Sequence, residues 1–455
     1  MMGTYSGTLE EEILESIELD VTTGVVPVEF SVLVSIGSVL ESLTLPIVTE
    51  ISTVLVSVHG PDRPGITAGL MDVLNESAAA IYDVEQIVVR GRLTLNVLVG
   101  VSGERVTIRD VLFFGWTQNL HVDFEVVEEA PTQTDSLSVV TLIGATVGPD
   151  DFGAIANAIA AGGGNIERIF RLSRYPVVSY ELAVSGGQMD AIRAGLVDAV
   201  TNRPVDVAIQ PDGFERRARR VVVMDVDSTL IENEVINLLA DEAGVGDEVA
   251  RITEAAMRGD IDFEQSLRRR VSLLAGLDES AITLVADRIT LTKGARTFVR
   301  TLKRLGLVTA IVSAGFTRFA DALAADLGID YSLSNTLEIE NGRLTGGLTG
   351  EIVDGPAKAR FLTSVAEAED VPLSQVVAVG DGANDLDMLA AAGLGIAFNS
   401  KPIVEEKADT AISVPFLDAI LFLMGIRREH VDAADEADPT FQQGPLSDVP
   451  GTPPV

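Results

Sequence analysis

Arg220-Val221-Val222-Val223-Met224-Asp225-Val226-Asp227-Ser228-Thr229-Leu230 is the stretch from which the fold can be read. Its first half is an uninterrupted apolar run rich in β-branched residues, the composition of a strand buried on both faces of a parallel sheet. Its second half sets two carboxylates where that strand ends. Residues i and i+2 of an extended segment point to one side, so Asp225 and Asp227 face one crevice. In open α/β sheets ligands bind beyond the carboxyl ends of the strands. Two carboxylates held so close repel unless a cation lies between them, and an all-oxygen donor set selects Mg²⁺ over zinc.

Further along the chain, a second apolar strand, 307–312, ends in Ser313-Ala314-Gly315-Phe316, and a third, 376–379, ends in Gly380-Asp381-Gly382-Ala383-Asn384-Asp385. Lys358, one of only five lysines, sits at a helix start between them. The first and third strand ends therefore supply carboxylates, the second a hydroxyl, and the intervening helix a cation, all to one crevice. Residues 231–292 read as several amphipathic helices punctuated by Gly244, Gly259 and Gly276, a small cap able to exclude water and select substrate.

Composition narrows the chemistry. The chain has no cysteine, which removes disulfides, thiolate metal sites and cysteine-based phosphatase mechanisms, and His59, His121 and His430 lack ligand spacing. A formal net charge of -35 repels nucleic acid and anionic lipid, so neither is expected as a partner. The amino terminus lacks the pattern of a signal peptide, and Pro27, Glu29, Glu41 and Pro46 interrupt the apolar segment 22–48, so a cytoplasmic protein with no membrane span is expected.

Upstream of the main strand lies a weak internal repeat. Gly60-Pro61-Asp62-Arg63-Pro64-Gly65-Ile66 returns approximately as Gly148-Pro149-Asp150-Asp151-Phe152-Gly153. Each copy follows a β-branched run, 53–58 or 138–146, and precedes a helical segment and two further strands, the order of a ferredoxin-like β-α-β-β-α-β unit. The expected fold is α/β, a Rossmann-like core with a small helical cap, preceded by two α+β ferredoxin-like domains. Boundaries are expected at 53–130 and 136–210 for the small domains and 220–428 for the core, with the cap at about 232–292. Residues 1–52 form an extension without readable function, and 429–455, acidic and proline-rich, a disordered tail. The patch Arg216, Arg217, Arg219 and Arg220 reads as a solvated linker.

The four motifs after residue 220 resemble those of the haloacid dehalogenase superfamily. The resemblance implies Asp225 as a nucleophile that forms an aspartyl-phosphate and Asp227 as general acid and base. It also implies Mg²⁺ held by Asp225, Asp227 (through its carbonyl), Asp381 and Asp385, with Ser313 and Lys358 binding the transferring phosphoryl group. The stretches 225–234 and 263–271 are similar to the phosphoserine phosphatase family. That likeness implies Glu234 on the substrate ammonium, Arg270 on its carboxylate, and Met257, Phe263, Ala314 and Asn384 as further substrate contacts. Ala314 departs from the Ser-Gly-Gly-Phe usual in that family, and its methyl would crowd a backbone N–H.

The loop 60–66 resembles that of ACT domains, which bind free amino acids between paired modules. This implies Asp62 and Gly65 as regulatory residues, serine as effector and a homodimer. The expected activity is Mg²⁺-dependent hydrolysis of O-phospho-L-serine, with phosphotransfer to another alcohol, or a non-catalytic amino-acid sensor, as alternatives.

Overall fold

The computed structural model describes residues 25–26, 51–102, 106–127, 137–258 and 260–438. The chain divides into two compact units, Met1–Thr134 and Asp135–Val455. Nearly all of the amino-terminal extension, and with it most of segment 22–48, lies outside the described residues.

In the first unit, strands β1 (Val25–Val26), β2 (Ile51–Pro61), β3 (Ala80–Val89), β4 (Arg92–Ser102) and β5 (His121–Val126) form a sheet of order β1-β5-β2-β4-β3. Helices α1 (Ile66–Glu76) and α2 (Val106–Thr117) cover one face. Period-2 alternation explains the packing: Val54, Val56 and Val58 of β2 and Leu93, Leu95, Val97 and Val99 of β4 are buried with Leu70, Leu74 and Val111 of the helices. The edge strand β3 leaves Ile81, Val84, Ile87 and Val89 exposed.

The second unit opens with the repeat of this motif: β6 (Leu137–Gly144), α3 (Pro149–Ala161), β7 (Gly164–Ser173), β8 (Val178–Gly186), α4 (Met189–Val200) and β9 (Val205–Pro211), in sheet order β7-β8-β6-β9. Here β6 is buried from Ser138 to Gly144, because both of its faces are covered. Val140 and Leu142 pack with Ile155, Ile159, Ile192 and Leu196, while Ile143 joins Leu172, Val177 and Ala208 in the cluster that contains Leu421 and Phe422 of the larger domain.

A short helix α5 (Phe214–Arg217) leads into that larger domain, which is built on β10 (Val221–Met224), none of whose residues is exposed. Cap helices α6 (Val235–Glu242), α7 (Gly246–Met257), α8 (Phe263–Ser272) and α9 (Ser280–Ala286) follow, then α10 (Ala295–Arg304), β11 (Val308–Phe316), α11 (Thr317–Leu327) and the hairpin β12 (Tyr331–Glu340) and β13 (Arg343–Thr349). The chain continues through α12 (Gly355–Ala368), β14 (Val376–Gly380), α13 (Leu386–Ala391), β15 (Leu394–Phe398) and β16 (Thr410–Ile412). The sheet order is β13-β12-β11-β10-β14-β15-β16. Strand β10 pairs in parallel with β11 and β14, Met224 opposite both Ile311 and Val379, so the three strand ends carrying the motifs lie side by side where the connections diverge.

Two expectations are corrected. The arginine patch is only in part a solvated linker: Arg217 and Arg220 are exposed, whereas Arg216 is 7% exposed and ion-paired with Glu181 of β8, and the Arg219 guanidinium donates to the carbonyls of Ser374 and Gly393. Aliphatic stems that bury while the guanidinium finds acceptors make this possible. The tail is not disordered from residue 429, because α14 (Arg428–Ala437) packs on the domain with Val431 3% exposed and Asp435 ion-paired to Arg300 and Arg304. Residues 439–455 lie outside the described residues.

Candidate active site

At the end of β10 the backbone N–H of Asp225 donates to Val379 of β14 at 2.9 Å, which fixes the carboxylate at the junction of the strands. Beyond it Ser228 takes a left-handed φ of 62°, an uncommon conformation for a residue with a Cβ. Its Oγ donates to Glu234 at 3.2 Å. The turn brings Asp227 under the first cap helix, where its Oδ1 accepts the Val235 N–H at 2.8 Å and its Oδ2 accepts Ser313 Oγ at 2.8 Å. Gly315 is required by close approach, since a Cβ there would stand 2.7 Å from Asp227 Oδ2 and 2.8 Å from Ser313 Oγ.

Asp225, Asp381 and Asp385 present carboxylate oxygens that all lie within 4.8 Å of one another. Lys358, without exposed surface, donates from Nζ to Asp225 and, at 2.6 Å, to Asp385. The other oxygen of Asp385 accepts the N–H groups of Asp381 at 3.1 Å and Gly382 at 2.9 Å, so Asp385 organises its own loop. The Asp227 carboxyl stands outside this cluster, held by Val235 and Ser313. An oxygen-only cluster of this kind fits a hard divalent ion.

Burial sets the electrostatics. It raises the pKa of Asp225 well above the usual carboxylate range despite the opposing pull of Lys358. Burial also raises Asp227, against the hydrogen bonds from Val235 and Ser313. Asp381 is pushed up to about 7, by burial first and then by Asp385 and Glu234. Burial works against the charge of Lys358, yet Asp225 and Asp385 hold its ammonium above the ordinary lysine range.

A cavity of about 680 Å³ opens over these groups, lined by Asp225, Asp227 and Asp381, by Ala314, Gly315 and Asn384, and by the cap residues Glu234, Phe263 and Arg270. Ser313, Lys358 and Asp385 are buried behind this wall. The Met257 side chain lies outside what is described. Burial and the nearby Asp227 raise Glu234, and burial lowers Arg270. The cavity is also lined by residues that the sequence reading does not single out, among them Asn237, Thr253, Ser266, Asp354 and Lys401. Of these, Ser266 carries a signal: it precedes Arg270 by four residues and so shares its helix face. Thr229, fully buried, donates to Asp381 at 3.4 Å without lining the cavity.

The expected regulatory residues lie in the first unit. Gly65 adopts φ 93° at the start of α1, and the Asp62 N–H donates to Gly91 at 2.8 Å. In the second copy Asp151 accepts the Gly148 N–H at 2.9 Å and, with Asp150, is ion-paired to Arg203.

Residues 222–390 match the haloacid dehalogenase-like hydrolase family, and residues 52–125 and 136–210 each match an ACT domain family. The chain is 50% identical over 406 residues to a phosphoserine phosphatase of Streptomyces coelicolor, an alignment that covers 87% of this chain and 98% of that one. It is 45% identical over 393 residues to a phosphoserine phosphatase of Mycobacterium tuberculosis, covering 85% and 96%. Among solved structures, a probable phosphoserine phosphatase from Vibrio cholerae in unliganded form superposes with a TM-score of 0.51 at 35% identity, over 66% of this chain and 89% of that one.

Proposed function

We propose a reaction from one premise: the chain belongs to the phosphoserine phosphatase family of haloacid dehalogenase-like hydrolases. The reaction is hydrolysis of O-phospho-L-serine to L-serine and phosphate, the last step of serine biosynthesis. Asp225 attacks phosphorus as the ester P–O bond breaks, and the phosphoryl group passes to its carboxylate. Asp227 gives its proton to the departing serine oxygen, then takes one from the water that displaces phosphate from Asp225. A carboxyl whose pKa is raised by burial, and which is held by Val235 and Ser313, suits that exchange.

Asp225, Asp381, Asp385 and the Asp227 carbonyl are the groups that would hold Mg²⁺, which when bound offsets charge on the phosphoryl oxygens. Lys358 stands beside the attacking carboxylate and adds a fixed positive charge where the phosphoryl oxygens arrive. Ser313 supplies a hydroxyl to the same group. Glu234 takes the substrate ammonium and Arg270 its carboxylate, with Phe263, Ala314, Asn384 and Met257 around them.

The observation that carries this reading is the convergence of Glu234 and Arg270, of opposite charge and both from the cap, on the cavity that holds Asp225 and Asp227. It is tested by phosphate release with Mg²⁺ from phosphoserine and from p-nitrophenyl phosphate, in the parent and in Asp225→Asn. The expected result is a strong preference for phosphoserine that the variant loses. Release from the aryl ester alone would keep the mechanism and overturn the roles of Glu234 and Arg270.

The same reading gives the first ACT domain a free amino acid, serine, as effector at Asp62 and Gly65, and pairs two chains as a homodimer. The exposed apolar edge of β3 supports the pairing, because an unpaired strand edge of that composition is a template for another strand.

A further inference from the structure

Ser266 stands on α8 one turn before Arg270, and both line the cavity over Asp225 and Asp227. The residue is 2% exposed, and among the described residues its hydroxyl has no hydrogen-bond partner. The Nε of Arg270, also buried, has none either. A serine within a helix ordinarily returns its hydroxyl to a carbonyl of the preceding turn. Neighbouring cap residues do so: Thr253 donates to Val249 at 3.0 Å and Ser272 to Arg269 at 2.8 Å. Ser266 does not; only its N–H donates to Asp262. A buried hydroxyl left unpaired costs stability, and none of the described residues supplies its partner, which points to a ligand.

The chemistry of that partner follows from the neighbouring group. Residues four apart on a helix share a face, so the hydroxyl and the guanidinium border the same part of the cavity. Arginine only donates, and a hydroxyl can donate beside it. One planar group with two acceptor oxygens satisfies both, and that group is a carboxylate.

We propose that Ser266 is a substrate-binding residue whose hydroxyl donates to the α-carboxylate of the amino-acid phosphate, beside the Arg270 guanidinium. This rests on the reading of the site as one for phosphoserine. Carboxylate recognition then belongs to one face of α8 and not to Arg270 alone.

The test compares the parent, Ser266→Ala and Ser266→Thr on phosphoserine and on phosphoethanolamine, which keeps the ammonium and phosphate and lacks the carboxylate. Loss of one hydrogen bond to a charged group is expected to raise the KM of Ser266→Ala for phosphoserine by about tenfold. Its kcat should stay within about twofold, and its kcat/KM for phosphoethanolamine should match the parent. Ser266→Thr keeps a hydroxyl and should recover part of the loss. Equal losses on both esters, or a phosphoserine KM unchanged by Ser266→Ala, would overturn the proposal. Failure of the underlying reading shows separately, as a parent enzyme that does not prefer phosphoserine to phosphoethanolamine.

Discussion

Lys358 has no exposed surface and two carboxylate partners, Asp225 and Asp385, with Asp381 beside them. Three acids and one cation leave the cluster short of positive charge. Replacing Lys358 by Met strands Asp225 and Asp385 in the interior, and breaking a buried pair in this way costs about 3–5 kcal/mol. Urea unfolding in EDTA should show that loss. Saturating Mg²⁺ should recover part of it by supplying charge to the same oxygens, while phosphate release stays abolished. A variant as stable as the parent in EDTA would show that the pair is not needed for folding.

Asp381 adds a dependence on pH. Its folded pKa, about 7, stands above that of an unfolded aspartate, so its contribution to stability is fully present below about pH 4 and is lost as the pH rises through 7. Metal binding requires the ionised form and therefore runs the other way, strengthening from about pH 6 to pH 8. Titration calorimetry at pH 6 in buffers of different ionisation enthalpy should report release of about one proton or more per Mg²⁺. Release should fall toward zero above pH 8, and none at pH 6 would contradict the assignment.

Among the elements, those legible in the sequence are the ones whose signal is local. The β10 run and the acids that follow it are read from neighbouring residues, and the parallel pairing that aligns β11 and β14 with it follows from the buried character of all three strands. The α14 helix and the arginines of residues 216–219 are not legible, because their order comes from partners far away in sequence. Arg216 finds Glu181, Arg219 finds Ser374 and Gly393, and Asp435 of α14 finds Arg300 and Arg304. Composition shows charge there and says nothing of where the opposite charge folds to. Ser266 is hidden for a different reason, since its helix position can be read and the missing hydrogen bond cannot.

The α14 helix gives the prediction at this scale. Arg428 donates to Asp418 at 2.6 Å, and Asp418 follows Leu417, whose N–H donates at 2.8 Å to Lys293 just before α10. Arg428→Ala leaves a buried carboxylate without its cation, and a loss near the lower end for such pairs, about 3 kcal/mol, is expected in denaturant unfolding. A change under about 0.5 kcal/mol, the size of an ordinary surface substitution, would mean that α14 is dispensable.

At the scale of the whole molecule, the two copies of the ferredoxin-like repeat stand differently toward the catalytic domain. The second copy is built into it. Asp206 of β9 accepts both the N–H and the hydroxyl of Ser413, at 2.8 and 2.7 Å, Gln210 donates to Leu423 at 3.0 Å, and Ile143 and Ala208 share its apolar core. Its loop is also closed to an anion, since Asp151 already takes the Gly148 N–H and the two acids, sharing the single cation Arg203, keep the loop net negative. The first copy keeps its own core in a separate compact unit, with open space where a Cβ on Gly65 would stand and, among the described residues, β3 at the edge of its sheet. On the proposed reading, binding of an effector and pairing of chains would fall to the first unit, and catalysis to the second. A chain that begins at Asp135 should fold, keep kcat/KM for phosphoserine within about twofold, since no residue of the cavity is lost, and sediment as a monomer. It should also lose any inhibition by serine that the full chain shows, as should the full chain with Asp62→Ala. If the shortened chain remained inhibited by serine, the effector site would have to lie in the second unit, and the self-capped loop at Gly148 would not be the reason for the second copy's silence.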